Sequence, residues 1–148
     1  MVKQNLTVDE MDVLLSRALV GRLGTCKDNE PYVVPLCFVY HKGKIYFHCG
    51  PKGKKMANMK ANQNVCFQVD EHRLIPSSNP CNFTMHYRSV IVFGKVRFLE
   101  DAEEKLRILN VMIEKYDTQK IAKPLDKELD GVEIGEITIE RISGKKNE

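Results

Sequence analysis

The sequence PYVVPLCFVYH, residues 31–41, has apolar side chains at both parities of a β-strand. The two sets are Val33, Cys37 and Val39 on one face and Tyr32, Val34, Leu36 and Phe38 on the other. Because successive side chains of a strand point to opposite faces, both faces of this strand must be covered. A small sheet with one core face does not require this. The pattern therefore favours a barrel whose outside is partly covered by a ligand, a helix or a second subunit.

The segments around this strand continue the β pattern. Strands are predicted at residues 20–27, 31–41, 44–49, 65–70, 83–100 and 136–140, with polar turns at 28–30 and 42–43. Residues 72–82 are rich in proline, serine and asparagine and predict a loop, and Gly94 is expected to mark a bend or bulge. Many short antiparallel strands with few helices favour a mainly β protein, built as a small barrel, over a doubly wound sheet.

Three segments have the pattern of helices that flank these strands. Thr7-Val8-Asp9-Glu10 has the spacing of a capping box and opens a helix that runs to about Leu19. Residues 54–62 contain helix formers and no β-branched residue, which predicts a short connecting helix. Asp101-x-x-Glu104 opens the third helix, whose core-facing candidates are Leu106, Leu109, Met112, Ile113 and Tyr116.

Length and composition restrict the class of protein. A chain of 148 residues is expected to form one domain, residues 1–148. Its 23 basic and 20 acidic residues give a net charge of +3, which is too small for the electrostatic footprint of a nucleic-acid binder. No apolar run is long enough to cross a membrane, and the N-terminal sequence does not have the pattern of a signal peptide, so we expect a cytoplasmic protein.

The cysteines predict reduced thiols rather than a structural framework. They are Cys26, Cys37, Cys49, Cys66 and Cys81, an odd number without a C-x-x-C pair. We therefore expect neither a disulfide framework nor a zinc ribbon, and mostly buried thiols. The histidines lack the spacing to acids or cysteines that would predict a metal site.

The sharpest local signal for a ligand is Gly50-Pro51-Lys52-Gly53-Lys54-Lys55, between a predicted strand and a predicted helix. A helix N-terminus presents free N–H groups and a partial positive charge, so lysines in its first turn favour a phosphate or sulfate. The glycine spacing and the lack of Ser or Thr after the lysine pair exclude a Walker A loop. A solvated basic turn is an equally good interpretation of these residues alone.

His48 precedes this basic turn, on the face of its strand opposite Phe47 and Cys49. An imidazole there would lie near a bound phosphate compound and could donate or accept a proton near neutral pH. A lone strand histidine also has a purely structural interpretation. Arg88 and Ser89, adjacent on the long strand, suit a polar ring edge or a hydrogen bond at an interface.

Several segments also share their order and spacing with a known family. They are Arg22–Thr25, Pro31–Leu36, Ile45–His48, Gly53–Lys55, Asn62–Asp70 and Tyr87–Val90 ahead of Gly94. Together they resemble the flavin-binding split-barrel proteins of the pyridoxamine-phosphate oxidase-like superfamily, and within it the nitroimidazole-resistance branch. The resemblance covers nearly the whole chain.

The resemblance implies a six-stranded antiparallel split β-barrel that forms a homodimer, with FMN in each of two grooves at the subunit interface. Lys54 and Lys55 would bind the FMN phosphate, and Arg88 and Ser89 would come from the second subunit. Relatives often have glutamine where Ser89 stands. The implied cofactor-binding residues are Val33, Val34, Pro35, Leu36, His48, Cys49, Lys54, Lys55, Arg88 and Ser89.

The same resemblance implies an oxidoreductase that passes electrons from reduced flavin to a small acceptor such as a nitroimidazole or another nitroaromatic compound. His48 would be its catalytic proton donor. The C-terminal segment, residues 140–148, does not match the arginine-containing extension of true pyridoxamine-phosphate oxidases, so that activity is not expected. Two alternatives stay open: a non-catalytic flavin-binding store or sensor, and a binder of haem or a deazaflavin in the same groove.

Overall fold

Short helices alternate with antiparallel strands in this protein, whose computed structural model describes residues 3–127 and 129–148. The strands are β1 (Lys3–Asn5), β2 (Gly21–Lys27), β3 (Glu30–Leu36), β4 (Phe38–His41), β5 (Lys44–Cys49), β6 (Asn64–Ile75), β7 (Thr84–Phe98) and β8 (Glu133–Asn147). The helices are α1 (Val8–Arg17), α2 (Lys54–Ala61) and α3 (Ala102–Tyr116), and a 3-10 turn covers Pro80–Asn82. Neighbouring strands bond in the order β3-β2-β6-β7-β8-β5-β4, and β1 adds to β8. The predicted mainly β split-barrel fold is confirmed.

The predicted strand at residues 31–41 is wrong in one respect, because it is divided at Cys37. β3 pairs with β2, with Val33 opposite Gly24, whereas β4 pairs with β5, with Phe38 opposite Phe47. β3 and β4 lie at opposite ends of the strand order, so the chain crosses between the two sheet edges at Cys37. This division and the short β1 raise the number of strands from the predicted six to eight in the described residues.

The crossing between the two edges is held by the last turn of α3. The Tyr116 hydroxyl accepts the Phe38 N–H at 2.9 Å and donates to the Leu19 carbonyl at 2.7 Å. Lys115 Nζ donates to the carbonyl oxygens of Ala18 at 2.6 Å and of Phe38 at 2.9 Å. Burial lowers the pKa of Lys115 to about 8. Because a buried backbone group without a partner is costly, these bonds stabilise the break in the strand.

Two apolar clusters cover the two faces of β4. Phe38 lies in the barrel interior, where Val34 and Leu36 of β3 pack against the same cluster. Val39 points outward and packs beneath α3 together with Tyr46. The expectation that both faces are covered is therefore confirmed for β4, and the cover is a helix. β3 differs, because its outward Val33 stays 62% exposed.

The predicted helix starts are confirmed. Thr7 Oγ1 accepts the Glu10 N–H and the Glu10 carboxylate accepts the Thr7 N–H, which completes the capping box. Asp101 caps α3 by accepting the Glu104 N–H at 2.9 Å. Among the described residues no helix is long and apolar enough to cross a membrane. α3 buries Ile108, Leu109 and Met112, whereas the predicted core residues Leu106, Ile113 and Tyr116 are half-buried.

Two strands are longer than predicted. β6 continues to Ile75, so the predicted loop at residues 72–82 begins too early, and β8 covers Glu133–Asn147 rather than residues 136–140. The added C-terminal ends of both strands pair with β7, as far as Ile75 opposite Thr84 and Asn147 opposite Tyr87, and the added start of β8 pairs with β5. Cross-strand pairing thus outweighs the polar local composition of these segments.

The cysteines are free, as predicted, but the expectation that most are buried is wrong. Cys49 is buried, Cys26 and Cys66 are half-buried, and Cys37 and Cys81 are exposed. Cys37 is exposed because it occupies the crossing between β3 and β4, and Cys81 because it lies in the 3-10 turn.

Gly94 lies at an irregularity in the pairing of β7 with β8, as its sequence position predicts. A Cβ atom at Gly94 would lie 2.1 Å from the Thr138 carbonyl oxygen. Gly94→Ala is therefore expected to lower the free energy of unfolding by about 1–3 kcal/mol or more, because the two backbones must separate. Urea denaturation measures this. Gly50→Ala is the matched control, since nothing lies within 4 Å of its added Cβ, and equal losses in the two variants would contradict the account.

Candidate functional site

One broad face on the outside of the barrel is exposed. We call the outward side of β3, β2, β6, β7 and β8 the outer face. Phe93 and Ile91 on β7 are 40% and 38% exposed, and a cleft of about 350 Å³ opens beside Phe93 and Val33. An exposed apolar patch on a folded chain marks a binding or association surface. The strand registers place one row side by side across it: Val33, Gly24, Cys66, Phe93 and Arg141.

The predicted basic turn leads into the N-terminus of α2. Gly53 precedes the helix with a φ of 113°, a left-handed value that favours glycine. In the described chain, α2 has no side-chain cap and no acidic residue in its first turn, where Lys54 and Lys55 lie instead. The free N–H groups and the two ammonium groups together provide a binding point for an anion.

Lys54 contacts the hairpin that joins β2 to β3. Its Nζ forms an ion pair with Glu30 and lies 4.9 Å from the centre of the Tyr32 ring. The hydrogen bond between Lys54 and Glu30 raises the pKa of the lysine and lowers the pKa of the carboxyl. A cleft of about 230 Å³ lies between the hairpin and the helix. An anion that binds Lys54 must therefore compete with Glu30.

The four β3 residues predicted to contact a cofactor point in two directions. The side chains of Val33 and Pro35 lie on the outer face, whereas those of Val34 and Leu36 pack against the barrel core. β3 is the first strand in the order, so in the described chain one edge of its backbone has no neighbouring strand. Its free N–H and C=O groups can bind a polar ring edge without any change in the sheet.

His48 and Cys49 occupy the end of β5, directly before the basic turn. His48 is exposed and stands opposite Ile134 of β8, whereas Cys49 is buried in the barrel core. Burial raises the pKa of the Cys49 thiol. His48 can therefore present its imidazole to a ligand, while Cys49 offers only its backbone.

Arg88 and Ser89 lie on opposite faces of β7. Arg88 binds Glu148 at 2.5 Å and lies 4.0 Å from Glu71, away from the outer face. Ser89 lies on the outer face and accepts a hydrogen bond from Gln68 at 3.3 Å. The structure thus separates the two side chains that the sequence placed together.

Ser89 is also far from the basic turn within one chain. Lys54 lies over Tyr32, whereas Ser89 pairs with Asp70, further along the sheet. Val33 of β3 and Cys66 of β6 stand level with each other, because both pair with Gly24. Tyr32 lies one residue before that level and Asp70 lies four residues after it, so five residues separate them along the strands. At about 3.3 Å per residue, the separation along the strands is roughly 17 Å. A single phosphate cannot contact both Lys54 and Ser89 of the same chain.

A polar cluster on the outer face was not predicted from the sequence. Asp70 accepts hydrogen bonds from Arg22 at 2.8 Å and from Gln68 at 3.0 Å, and His72 Nδ1 lies 3.1 Å from its second oxygen. Partial burial of Asp70 opposes its ionisation, but the bonds from Gln68 and His72 and the charge of Arg22 outweigh it and lower the pKa. We call Arg22, Gln68, Asp70, His72 and Ser89 the outer-face cluster.

These elements define a split-barrel protein with a basic helix start beside an open edge strand. A family profile described as pyridoxamine 5'-phosphate oxidase matches residues 7–146. The chain therefore belongs to the pyridoxamine 5'-phosphate oxidase family. Among curated proteins, an uncharacterised protein of Rhizobium meliloti is 28% identical over 91 residues, 62% of this chain and 54% of that protein. The match thus spans about half the length of that relative.

Solved structures support the same fold. A Bacteroides thetaiotaomicron protein provisionally assigned to 5-nitroimidazole antibiotic resistance is 25% identical, with a TM-score of 0.80 over 100% of this chain and 93% of its own. An FAD-binding protein of Mesorhizobium loti is 28% identical, with a TM-score of 0.75 over 100% of both chains. An FAD- and haem-binding protein of Mycobacterium smegmatis has a TM-score of 0.82 over 99% of this chain and 73% of its own, but at 16% identity it shows the fold alone.

Asp70 gives the outer-face cluster a pH dependence. Its pKa is lower in the folded protein than the value of about 3.9 in an unfolded chain, so its bonds stabilise the fold fully above about pH 4. This contribution is lost as the pH falls through the folded pKa. Asp70→Asn is expected to cost about 1 kcal/mol at pH 7, and this cost should shrink progressively as the pH falls below about 4. Urea denaturation across this pH range tests this, with the exposed Asp126→Asn as control, and a constant cost would contradict the assignment.

Proposed function

We propose that this protein binds FMN on the outer face as a homodimer and passes electrons from the reduced flavin to a small acceptor, such as a nitroimidazole or another nitroaromatic compound. The uncapped, lysine-bearing start of α2 carries the proposal. Membership of the pyridoxamine 5'-phosphate oxidase family supports it, as do the FAD-binding and nitroimidazole-resistance relatives that match the whole chain. We propose a cytoplasmic location, where the five free cysteines would stay reduced.

The residues present fit a flavin phosphate and ring. Lys54 and Lys55 and the first N–H groups of α2 would hold the phosphate. The backbone edge of Val33–Leu36 would bind the polar edge of the ring, and Gly24, which has no Cβ, leaves the neighbouring surface shallow. When bound, the flavin would supply the electron transfer, while the protein binds, orients and exchanges protons.

A second copy of the chain would complete this groove. Val33, Ile91 and Phe93 leave apolar area exposed on the outer face, and association of two outer faces would bury it. Ser89 lies too far from Lys54 of its own chain to contact the same phosphate, and we assign its contact to the flavin bound by the partner. The outward position of Ser89 favours it over Arg88 in this role.

The proposal predicts that the phosphate contact depends on the basic turn. Lys54→Ala combined with Lys55→Ala is expected to weaken FMN binding roughly 30-fold or more, because charge-assisted hydrogen bonds are lost. Fluorescence-quenching titration of flavin-free protein measures the dissociation constant. Lys60→Ala, in the last turn of α2, is the matched control. Wild-type affinity in the double variant would remove the phosphate from this turn.

The dimer is tested by sedimentation at micromolar concentration. We expect a mass near twice the 17.0 kDa of the chain. Phe93→Glu places a charge in the exposed apolar row and should yield a monomer that binds flavin poorly. Val13→Glu, at an exposed position of α1, should leave both properties unchanged. A wild-type monomer that binds FMN tightly would contradict the shared groove.

His48 distinguishes an enzyme from a flavin store. We assign His48 as the proton donor to the acceptor, because it is exposed and lies directly before the basic turn. His48→Ala should keep flavin binding, lower the turnover rate roughly 100-fold or more, and remove the near-neutral step of the pH profile. His86→Ala is the control. If His48→Ala weakens FMN affinity instead and leaves reoxidation unchanged, the residue only contacts the cofactor.

The identity of the cofactor is tested on protein purified without added flavin. Yellow protein that releases FMN on denaturation supports the proposal, and mass spectrometry separates FMN from FAD and from a deazaflavin. A Soret band would instead indicate haem.

A further inference from the structure

The outer-face cluster borders a cleft of about 450 Å³, and Ser89 is the one residue of its lining that the proposed flavin contacts use. Its lining residues are Gln68, Asp70, His72, Met85, Tyr87 and Ser89. They come from the adjacent strands β6 and β7 and alternate at a period of two, so all six side chains share the outer face. Met85 is 41% exposed and supplies an apolar wall, whereas the other five supply hydrogen-bonding groups.

A contact with Asp70 orients the His72 ring in this cleft. Its Nδ1 lies 3.1 Å from Asp70, and a carboxylate at that distance selects the ring form with a proton on Nδ1. Asp70 is held in turn by Arg22 and Gln68. Because Nδ1 is occupied, Nε2 is the ring nitrogen left to meet a ligand, and it donates a hydrogen bond whenever the ring is protonated.

The cleft lies beside the strand that is proposed to hold the flavin ring. Pro35 of β3 stands opposite Arg22 of β2, and Arg22 stands opposite Gln68 of β6. Two strand spacings separate Pro35 from Gln68, which is roughly 10 Å. A small molecule in the cleft would therefore lie within reach of a ring placed along the end of β3.

We propose that this cleft is the binding subsite for the electron acceptor, and that His72 donates a hydrogen bond from Nε2 to a nitro or carbonyl oxygen of that molecule. This inference rests on the proposed function. His48 stands opposite Ile134, whereas Ser89 stands opposite Lys145, roughly 30 Å further along β8. The proton donor to an acceptor in this cleft would therefore be the partner's His48. The Tyr87 and Ser89 hydroxyls supply further donors, and Met85 packs against the planar ring. His72 determines which acceptors bind, and Asp70 is a positioning residue that orients it.

The proposal gives the affinity for the acceptor a defined pH dependence. The protonated ring donates from Nε2 and the neutral ring does not, so binding should be tightest at low pH and weaken as His72 loses its proton. The charged and titratable groups that face His72 are Asp70 on β6, Arg22 on β2, Tyr87 on β7 and Lys145 on β8. His86 lies on the opposite face of β7 and does not line the cleft.

The experiment measures the dissociation constant of a 5-nitroimidazole by calorimetry at pH 5.5 and 8.5, on oxidised flavin-loaded protein and on flavin-free protein. His72→Gln should weaken binding about 10-fold or more at pH 5.5 and little at pH 8.5, because one charge-assisted hydrogen bond is lost. Asp70→Asn should flatten the same pH dependence, and His86→Gln should match the wild type. In turnover assays His72→Gln should raise KM and leave kcat nearly unchanged.

Each result decides between the proposals. An unchanged dissociation constant and pH dependence in His72→Gln, with normal flavin affinity, would overturn the acceptor subsite and leave the proposed function standing. A fall in kcat at unchanged KM would also overturn it, since the role would then be proton transfer. A wild-type protein that binds no flavin would overturn the proposed function. In that case the flavin-free titration decides whether the cleft binds the nitroimidazole through His72.

Discussion

The architecture depends on how the last turn of α3 binds the backbone of Phe38. Tyr116 accepts its N–H and Lys115 donates to its carbonyl, so both polar groups are satisfied at the point where the chain leaves one sheet edge for the other. This contact lets one apolar run supply two edge strands, β3 and β4. α3 covers the outside of β4, whereas β3 keeps an open backbone edge and an exposed Val33. The candidate site is the part of the barrel that this arrangement leaves uncovered.

Two regions beside β2 and β3 differ in charge and therefore in chemistry. The basic start of α2 lies at the hairpin between β2 and β3, where Lys54 is held by Glu30. The outer-face cluster lies further along the sheet, where Arg22 holds an ionised Asp70. An anion is favoured at the first region, because the first turn of α2 holds two lysines and no acidic residue, whereas Asp70 balances Arg22 at the second. We therefore assign the cofactor phosphate to the first region and the electron acceptor to the second.

Local signals predicted those features that depend on a few neighbouring residues. The Thr7 and Asp101 caps, the polar turns and the irregularity at Gly94 all follow from short patterns. The division at Cys37 could not be seen, because Leu36 and Phe38 both face the core and the parity continues through the break.

Features that depend on distant residues were also missed. The full length of β8 was missed because its pairing with β7 is set by a strand far away in the sequence. For the site, the lysines of α2 and the exposure of His48 were visible in the sequence. The outer-face cluster was not, since Arg22 and Asp70 are 48 residues apart. The alternation of Gln68, Asp70 and His72 at a period of two was the only local sign of it.

Titration of flavin-free protein with FMN and with riboflavin tests the central claim most directly. If the start of α2 holds the phosphate, FMN should bind roughly 30-fold or more tightly than riboflavin, which lacks that group. Equal affinity for the two flavins would contradict the account.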